Sequence, residues 1–163
     1  MSKEYCNAQA KKRLYFDMDG VLVDFDSALA LQSEQTLIEY QGRYDEIPGL
    51  FGLMQPMPGA IEAVHKLKEH YDCYILSTAP WNNPSAWSDK VQWITKYLDD
   101  VFHKRMIITH CKNLCIGDVL IDDRGKERHK RVWRRMDSIQ FRTISRLASR
   151  VGLFIARRSK AVK

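Results

Sequence analysis

The stretch Leu14-Tyr15-Phe16-Asp17-Met18-Asp19-Gly20-Val21 decides the fold. Its first three residues are an apolar run of buried-strand length, and the run stops at a carboxylate. Two aspartates then stand at i and i+2. Continued strand geometry points both side chains to the same side, and Gly20 permits a sharp turn directly after them. Where two such carboxyls have different surroundings they divide the work of a reaction: an ionised one attacks as a nucleophile, and a protonated one donates to the leaving group.

Working outward, short apolar runs ending in polar groups recur. Cys73-Tyr74-Ile75-Leu76 leads into Ser77-Thr78, Met106-Ile107-Ile108 is a third run, and Val119-Leu120-Ile121 is closed by Asp122-Asp123. Residues 24–40 hold Phe25, Ala28, Leu29, Leu31, Leu37 and Ile38 at spacings that predict an amphipathic helix. The next stretch, 41–58, is rich in glycine and proline turns. Pro58-Gly59 opens a helix lined by Ile61, Val64 and Leu67, and Pro84 stands near the start of another, striped by Trp87, Val91, Ile94, Tyr97 and Leu98. Strands alternating with helices predict an α/β fold, a Rossmann-like parallel sheet with helices on both faces. Ligands of such sheets sit beyond the carboxyl ends of the strands, where these aspartates and hydroxyls gather. Asp122-Asp123 completes a set of hard oxygen ligands of the kind Mg2+ favours, and Lys112 is spaced to offer a cation to phosphoryl oxygens. Asp118, ahead of the last strand, reads as a turn residue. Trp81, Trp87 and Trp93 are assigned to helix packing rather than to substrate stacking. His110, Cys111 and Cys115 have no fourth zinc ligand at a convincing spacing.

Composition excludes several classes. The chain has 163 residues, one domain's worth with room for a small insertion, and 45% of them are hydrophobic, so a buried core is expected. No apolar run approaches the ~20 residues that cross a bilayer. The first twelve residues contain no apolar stretch of signal-peptide type. Four cysteines without a C-x-x-C pair read as free thiols in a reducing compartment, so a cytoplasmic protein with no membrane partner is expected. The net charge of +6 is unevenly spread: residues 1–125 carry 13 Lys+Arg against 18 Asp+Glu, and residues 126–163 carry 13 against 2. The basic excess belongs to the tail, and nucleic acid is not an expected partner of the rest.

The D-M-D-G-V start, the strand ending in Ser/Thr, the later lysine and the Asp pair, in this order, resemble the haloacid dehalogenase superfamily of phosphotransferases. The fuller motifs D-M-D-G-V-L-V-D-F, P-x-P-G-A (56–60), S-T-A-P and K-N-L-C-I-G-D-V-L-I-D-D resemble its cytosolic type C 5'(3')-deoxyribonucleotidases. The resemblance implies Mg2+-dependent hydrolysis of deoxyribonucleoside monophosphates. In it Asp17 is the nucleophile that becomes an aspartyl-phosphate, and Asp19 is the acid that protonates the leaving oxygen and later activates water. Thr78, with Ser77 as the weaker choice, holds a phosphoryl oxygen, and Lys112 neutralises charge. Asp122 ligates Mg2+ with Asp17 and the main-chain carbonyl of Asp19, while Asp123 supports the site. Phe25 and Phe51 line a base pocket, and Lys90 approaches the phosphate. The implied partner is a small-molecule nucleotide, with a homodimer left open. The alternatives are a phosphatase of this type for another small phosphomonoester, or a basic nucleic-acid-binding module with a vestigial catalytic core.

The expected organisation is an N-terminal extension over 1–12, a phosphatase core over 13–125 with a small helical cap inserted at about 26–57, and an atypical basic segment over 126–163. That last segment looks like a frame-shifted reading. Back-translating from Glu127 with suitable synonymous codons and moving one base forward gives N-G-T-S-E-F-G-G-E-W-I-Q-F-S-S-E-Q-F-P-D-W-P-A-V-L. This is the acidic, aromatic ending expected of a folded relative.

Overall fold

The structure, a computed structural model, describes residues 11–123 and one further strand at 137–140. The extension expected over 1–12 lies outside the described residues except for Lys11 and Lys12. The basic segment expected over 126–163, with its frame-shift reading, lies outside them except for that strand. Along the chain run β1 (Arg13–Phe16), β2 (Val23–Asp24), α1 (Phe25–Leu29), α2 (Glu34–Glu39), α3 (Leu50–Leu53), β3 (Gln55–Pro56), α4 (Ala60–Lys68), β4 (Asp72–Ser77), α5 (Ser85–Phe102), β5 (Met106–Ile108), β6 (Val119–Asp122) and β7 (Asp137–Gln140). No described helix is long and apolar enough to cross a membrane.

Five strands form one sheet in the order β5-β4-β1-β6-β7, and every pair in it is parallel. This is the α/β, Rossmann-like architecture that the alternating pattern predicts. β1 lies in the middle, with Phe16 opposite Ile75 on one side and Ile121 on the other. The chain builds β4 and β5 outward on one flank and then returns to place β6 on the opposite flank of β1. The strand order therefore reverses between β1 and β6. A crevice opens at the carboxyl ends of two strands whose connections leave in opposite directions, and parallel sheets bind ligands there.

Strand alternation sorts the core into two layers. Leu14, Phe16, Ile75, Val119 and Ile121 pack with Ala60, Val64 and Leu67 of α4 and Trp93, Ile94 and Leu98 of α5. Both helices thus lie on one face of the sheet; helices are expected on both faces, and among the described residues none packs on the other. The intervening positions Tyr15, Leu76 and Leu120 turn to the other face and pack with Tyr74, Ile107 and Cys115.

The segment expected as a cap leaves and re-enters the sheet domain through the antiparallel pair β2–β3, with Val23 opposite Pro56. One helix over 24–40 does not form. Asp24 caps α1 by accepting from the Asp26 amide, and Ser33 caps a separate α2 by accepting from the Thr36 amide at 3.1 Å. Leu31 and Ile38, counted as buried positions of a single helix, are exposed. The insert buries Ala28, Ile47, Leu50, Phe51 and Met54 instead; two side-chain caps offer the backbone an alternative to continuing, and Leu31 falls in the turn between the two short helices. α3 packs on α5, where the buried Trp93 donates from Nε1 to the Met54 carbonyl at 2.8 Å. Val91, expected on the buried stripe of α5, is exposed instead.

Candidate active site

β1 delivers Asp17 to the crevice. The Asp17 amide donates to the Ile121 carbonyl at 2.9 Å, which extends the strand pairing by one residue. Beyond it the strand stops, contrary to the continued strand geometry expected from the sequence. The amides of Val21, Leu22 and Val23 all donate to the Met18 carbonyl, at 3.1, 2.8 and 3.0 Å. This knot reverses the chain at Gly20, whose φ of +69° is left-handed. A Cβ there would also overlap the Asp123 carboxylate, 2.8 Å from its Cγ, so a side chain is excluded on two counts.

Two clusters of charge meet at this turn. In the first, Asp17 is 1% exposed; its Oδ1 accepts from the Met18 amide at 2.8 Å, and its Oδ2 lies 2.8 Å from Lys112 Nζ. A tight turn at the start of the β5–β6 connection sinks Lys112 into the crevice, where Nζ is also 3.5 Å from Asp122 Oδ2. One carboxylate oxygen from each of Asp17, Asp122 and Asp123 lies within 4.8 Å of the others. Burial raises the Asp17 pKa. The charge and hydrogen bond of Lys112, the charge of Lys90 and the Met18 amide outweigh it, and the group is held below the ordinary carboxylate range. Three converging carboxylates, Asp17 among them and kept ionised, form a set of hard oxygen donors that suits a small divalent cation, and the donor set fits Mg2+.

In the second cluster, Lys90 of α5 is 1% exposed and grips Asp19 with Nζ 2.8 Å from each carboxylate oxygen. Nζ also donates to Ser77 Oγ at 3.1 Å and sits 4.8 Å from the centroid of the Phe51 ring. Phe25 meets Phe51 edge to face at 6.0 Å. The structure therefore brings Asp17, Lys112, Asp122 and Asp123 together, and beside them Asp19, Lys90, Ser77, Phe51 and Phe25. Within this arrangement Lys90 faces Asp19, and Phe51 is 3% exposed under the Lys90 ammonium. Thr78 turns its hydroxyl to the Thr109 carbonyl at 2.9 Å, a link between the β4 and β5 loops that no sequence pattern signals. Asp118, read as a turn residue, accepts from the Arg13 amide at 2.8 Å and so ties the start of β1 to the residue before β6, at the far end of the sheet.

Of the three tryptophans assigned to helix packing, Trp93 packs as expected and Trp81 does not. Trp81 is exposed and meets His110 edge to face, with ring centroids 5.6 Å apart; Trp87 is half-buried, 6.1 Å from the same His110 ring.

A family profile described as "5' nucleotidase, deoxy (Pyrimidine), cytosolic type C protein" matches residues 32–145. A protein of Vibrio phage KVP40, provisionally named 5'(3')-deoxyribonucleotidase, is 52% identical over 123 residues, covering 73% of this chain and 72% of that one. The human protein named "5'(3')-deoxyribonucleotidase, cytosolic type" is 29% identical over 145 residues, covering 71% of this chain and 72% of its own. Among solved structures, the provisional HAD-hydrolase YfnB of Bacillus subtilis, described as bound to magnesium, superposes with a TM-score of 0.58 at 12% identity. It matches 88% of this chain and 100% of that one. A haloacid dehalogenase-like hydrolase of Burkholderia xenovorans gives a TM-score of 0.52 at 17% identity, over 82% of this chain and 83% of its own. These two structures share the fold.

Proposed function

The chain belongs to the cytosolic type C family of 5'(3')-deoxyribonucleotidases, which are phosphoric monoester hydrolases, and on that premise we propose that it dephosphorylates deoxyribonucleoside monophosphates with Mg2+ through an aspartyl-phosphate on Asp17. The observation that carries the reading is the cluster at the strand-order reversal. There the carboxylates of Asp17, Asp122 and Asp123 converge and Lys112 reaches two of them. Asp17, Asp122 and Asp123, with the Asp19 main-chain carbonyl, would hold the Mg2+. Bound there, it neutralises charge on the phosphoryl oxygens and orients them.

The chain's own groups do the rest. Asp17, ionised, attacks phosphorus through a carboxylate oxygen as the bond from phosphorus to the nucleoside oxygen breaks. Asp19 gives its proton to that departing oxygen. In the second step water attacks phosphorus, Asp19 takes the water's proton, and the bond from phosphorus to Asp17 breaks. A nucleoside alkoxide is a poor leaving group and needs the acid, whereas a halide needs none, so Asp19 favours a phosphatase over a dehalogenase. Lys90 grips both Asp19 oxygens and fixes the direction in which they are presented; this ion pair favours the carboxylate, so Asp19 takes up the proton it donates only as that grip loosens. Lys112 offsets the charge that gathers on the phosphoryl group and Asp17.

The test is phosphate release, with Mg2+, from dUMP, dTMP, their ribonucleotide counterparts and two non-nucleotide phosphomonoesters. Selective turnover of the deoxynucleotides is expected. Asp17→Asn should lower it by at least about 10³-fold without unfolding the protein. Turnover confined to the non-nucleotides would discard the substrate and keep the chemistry. Undiminished turnover in Asp17→Asn would discard the mechanism.

A further inference from the structure

Asn83 is a buried polar side chain that the chemistry at Asp17 and Asp19 does not use. It is 2% exposed and lies in the loop between Thr78, just past β4, and the start of α5. A buried amide is costly unless its hydrogen bonds are made, and here they are made across the seam between the sheet domain and the cap. Asn83 Nδ2 donates to the carbonyls of Asp45 and Ile47, each at 2.9 Å, so both amide hydrogens are used. Its Oδ1 accepts from Ser85 Oγ at 2.7 Å, and Ser85 Oγ accepts in turn from the Gly49 amide at 2.8 Å. On the exposed rim of the same seam Asn82 Nδ2 donates to Glu46 Oε1 at 2.9 Å.

These bonds end where α3 begins. Gly49, with a φ of +77°, is followed by Leu50 and Phe51, the first residues of that helix. Past the other end of α3, the Met54 carbonyl accepts from Trp93 Nε1 at 2.8 Å. Ser85 and Trp93 both belong to α5, so α3 is fastened to α5 at each end. Between the two fasteners stands Phe51, its ring centroid 4.8 Å from Lys90 Nζ and 6.0 Å from that of Phe25. Lys90 is held independently of the cap, by Asp19 and Ser77. Loosening the seam would therefore move Phe51 and leave the charged groups around Asp17 and Asp19 in place.

Resting on the nucleotidase reading, in which Phe25 and Phe51 line the base pocket, we propose that Asn83 is the positioning residue of that pocket. It latches residues 45–49 of the cap to the start of α5 and so keeps Phe51 in the pocket wall. The phosphate end of the substrate meets the sheet domain, so the latch sets the affinity for a nucleotide and not the affinity for free phosphate. A wall held in place before the substrate arrives lowers the ordering cost of binding.

The experiment compares wild type, Asn83→Ala, Ser85→Ala and Asn82→Ala by amide hydrogen exchange, by KM for dUMP with Mg2+, and by inhibition of that turnover by inorganic phosphate. In Asn83→Ala, exchange over residues 45–52 should quicken by about 5- to 150-fold, the worth of two net hydrogen bonds, with exchange in β1 and β6 unchanged. KM for dUMP should rise by more than about 2-fold and at most about 150-fold, since no more affinity can be lost than closure supplied, while the inhibition constant of phosphate stays within about twofold. Ser85→Ala removes the Gly49 tie and spares both carbonyl bonds; it should move exchange and KM the same way by about 2- to 12-fold, and it decides the matter if Asn83→Ala does not fold. Asn82→Ala, which loses only an exposed bond, should match wild type. Exchange over 45–52 unchanged in a folded variant, or KM for dUMP within twofold of wild type, would overturn the latch and leave the nucleotidase reading standing. An equal weakening of phosphate inhibition would overturn it too, because the loop would then act on the phosphate site. If wild type hydrolysed no deoxynucleotide, the nucleotidase reading itself would fall and take this inference with it.

Discussion

Replacing Lys112 with methionine isolates the electrostatics of the site. Lys112 Nζ is 2.8 Å from Asp17 Oδ2 and 3.5 Å from Asp122 Oδ2, and all three side chains are buried. Methionine keeps the length and the apolar stem but removes the charge. Two buried carboxylates then lose their cation while Asp123 remains close by. Removing one partner of a buried pair costs about 3–5 kcal/mol, most of it from the charge left behind. With a urea m-value of about 2 kcal/mol/M, the unfolding midpoint should fall by about 1.5–2.5 M in Mg2+-free buffer. The pH dependence carries a sign. Asp17 is depressed in the folded wild type, so it adds stability that is fully present above the unfolded-chain value of about 4 and is lost as pH falls through its folded value. Without Lys112 the opposing effect of burial meets less resistance, the Asp17 pKa rises, and the stability that Asp17 adds above about pH 4 shrinks. The difference between wild type and variant should therefore be largest near pH 7 and shrink towards pH 4. Adding Asp17→Asn to the variant should recover much of the loss, a coupling of about 1–3 kcal/mol. A loss below about 1 kcal/mol, a loss indifferent to pH, or additive single and double variants would each refute the reasoning.

Three other perturbations follow from the structure. Gly20→Ala forces a Cβ into the Asp123 carboxylate at a left-handed φ. A backbone cost of about 1–2 kcal/mol is expected, together with weakened Mg2+ binding read by titration calorimetry, and unchanged Mg2+ affinity would count against the donor set. Trp93→Phe leaves the Met54 carbonyl without its buried donor and should cost about 1–3 kcal/mol in chemical denaturation, loosening α3 from α5; a change under about 0.5 kcal/mol would deny that tie. Burial pushes the Cys73 thiol up to about 12, so it stays protonated at pH 8, and alkylation of the native protein, read by mass spectrometry, should reach the exposed Cys111 and spare Cys73 until urea is added.

What could be read along the chain was whatever repeats along the chain. Apolar runs at Leu14-Tyr15-Phe16 and Val119-Leu120-Ile121, each closing on aspartate, state their own burial and their own ends, and alternation with helical spacing is enough for a parallel sheet. The motif order around Asp17, Asp19, Lys112 and Asp122-Asp123 carried the family. Where the reading failed, a local rule met a limit that spacing cannot express. Residues 24–40 have helical spacing throughout, yet the Ser33 cap divides the segment, and the insert buries Ile47, Leu50, Phe51 and Met54 while Leu31 and Ile38 stay exposed.

By itself the sequence determined the sheet, the ends of its strands and the residue types gathered there, because hydrophobic period and strand-ending carboxylates are properties of neighbours in the chain. The partners of those residues were decided only in three dimensions. Asp17 and Asp19, two residues apart, are held by cations from different elements, Lys112 ahead of β6 and Lys90 inside α5. The carboxylate of Asp123 closes over Gly20 from across the crevice. The ring of Phe51 lies under Lys90 while Trp81 is exposed. Electrostatic pairing and exposure depend on distance through space, and packing two loops against one sheet end sets those distances; no separation along the chain encodes them.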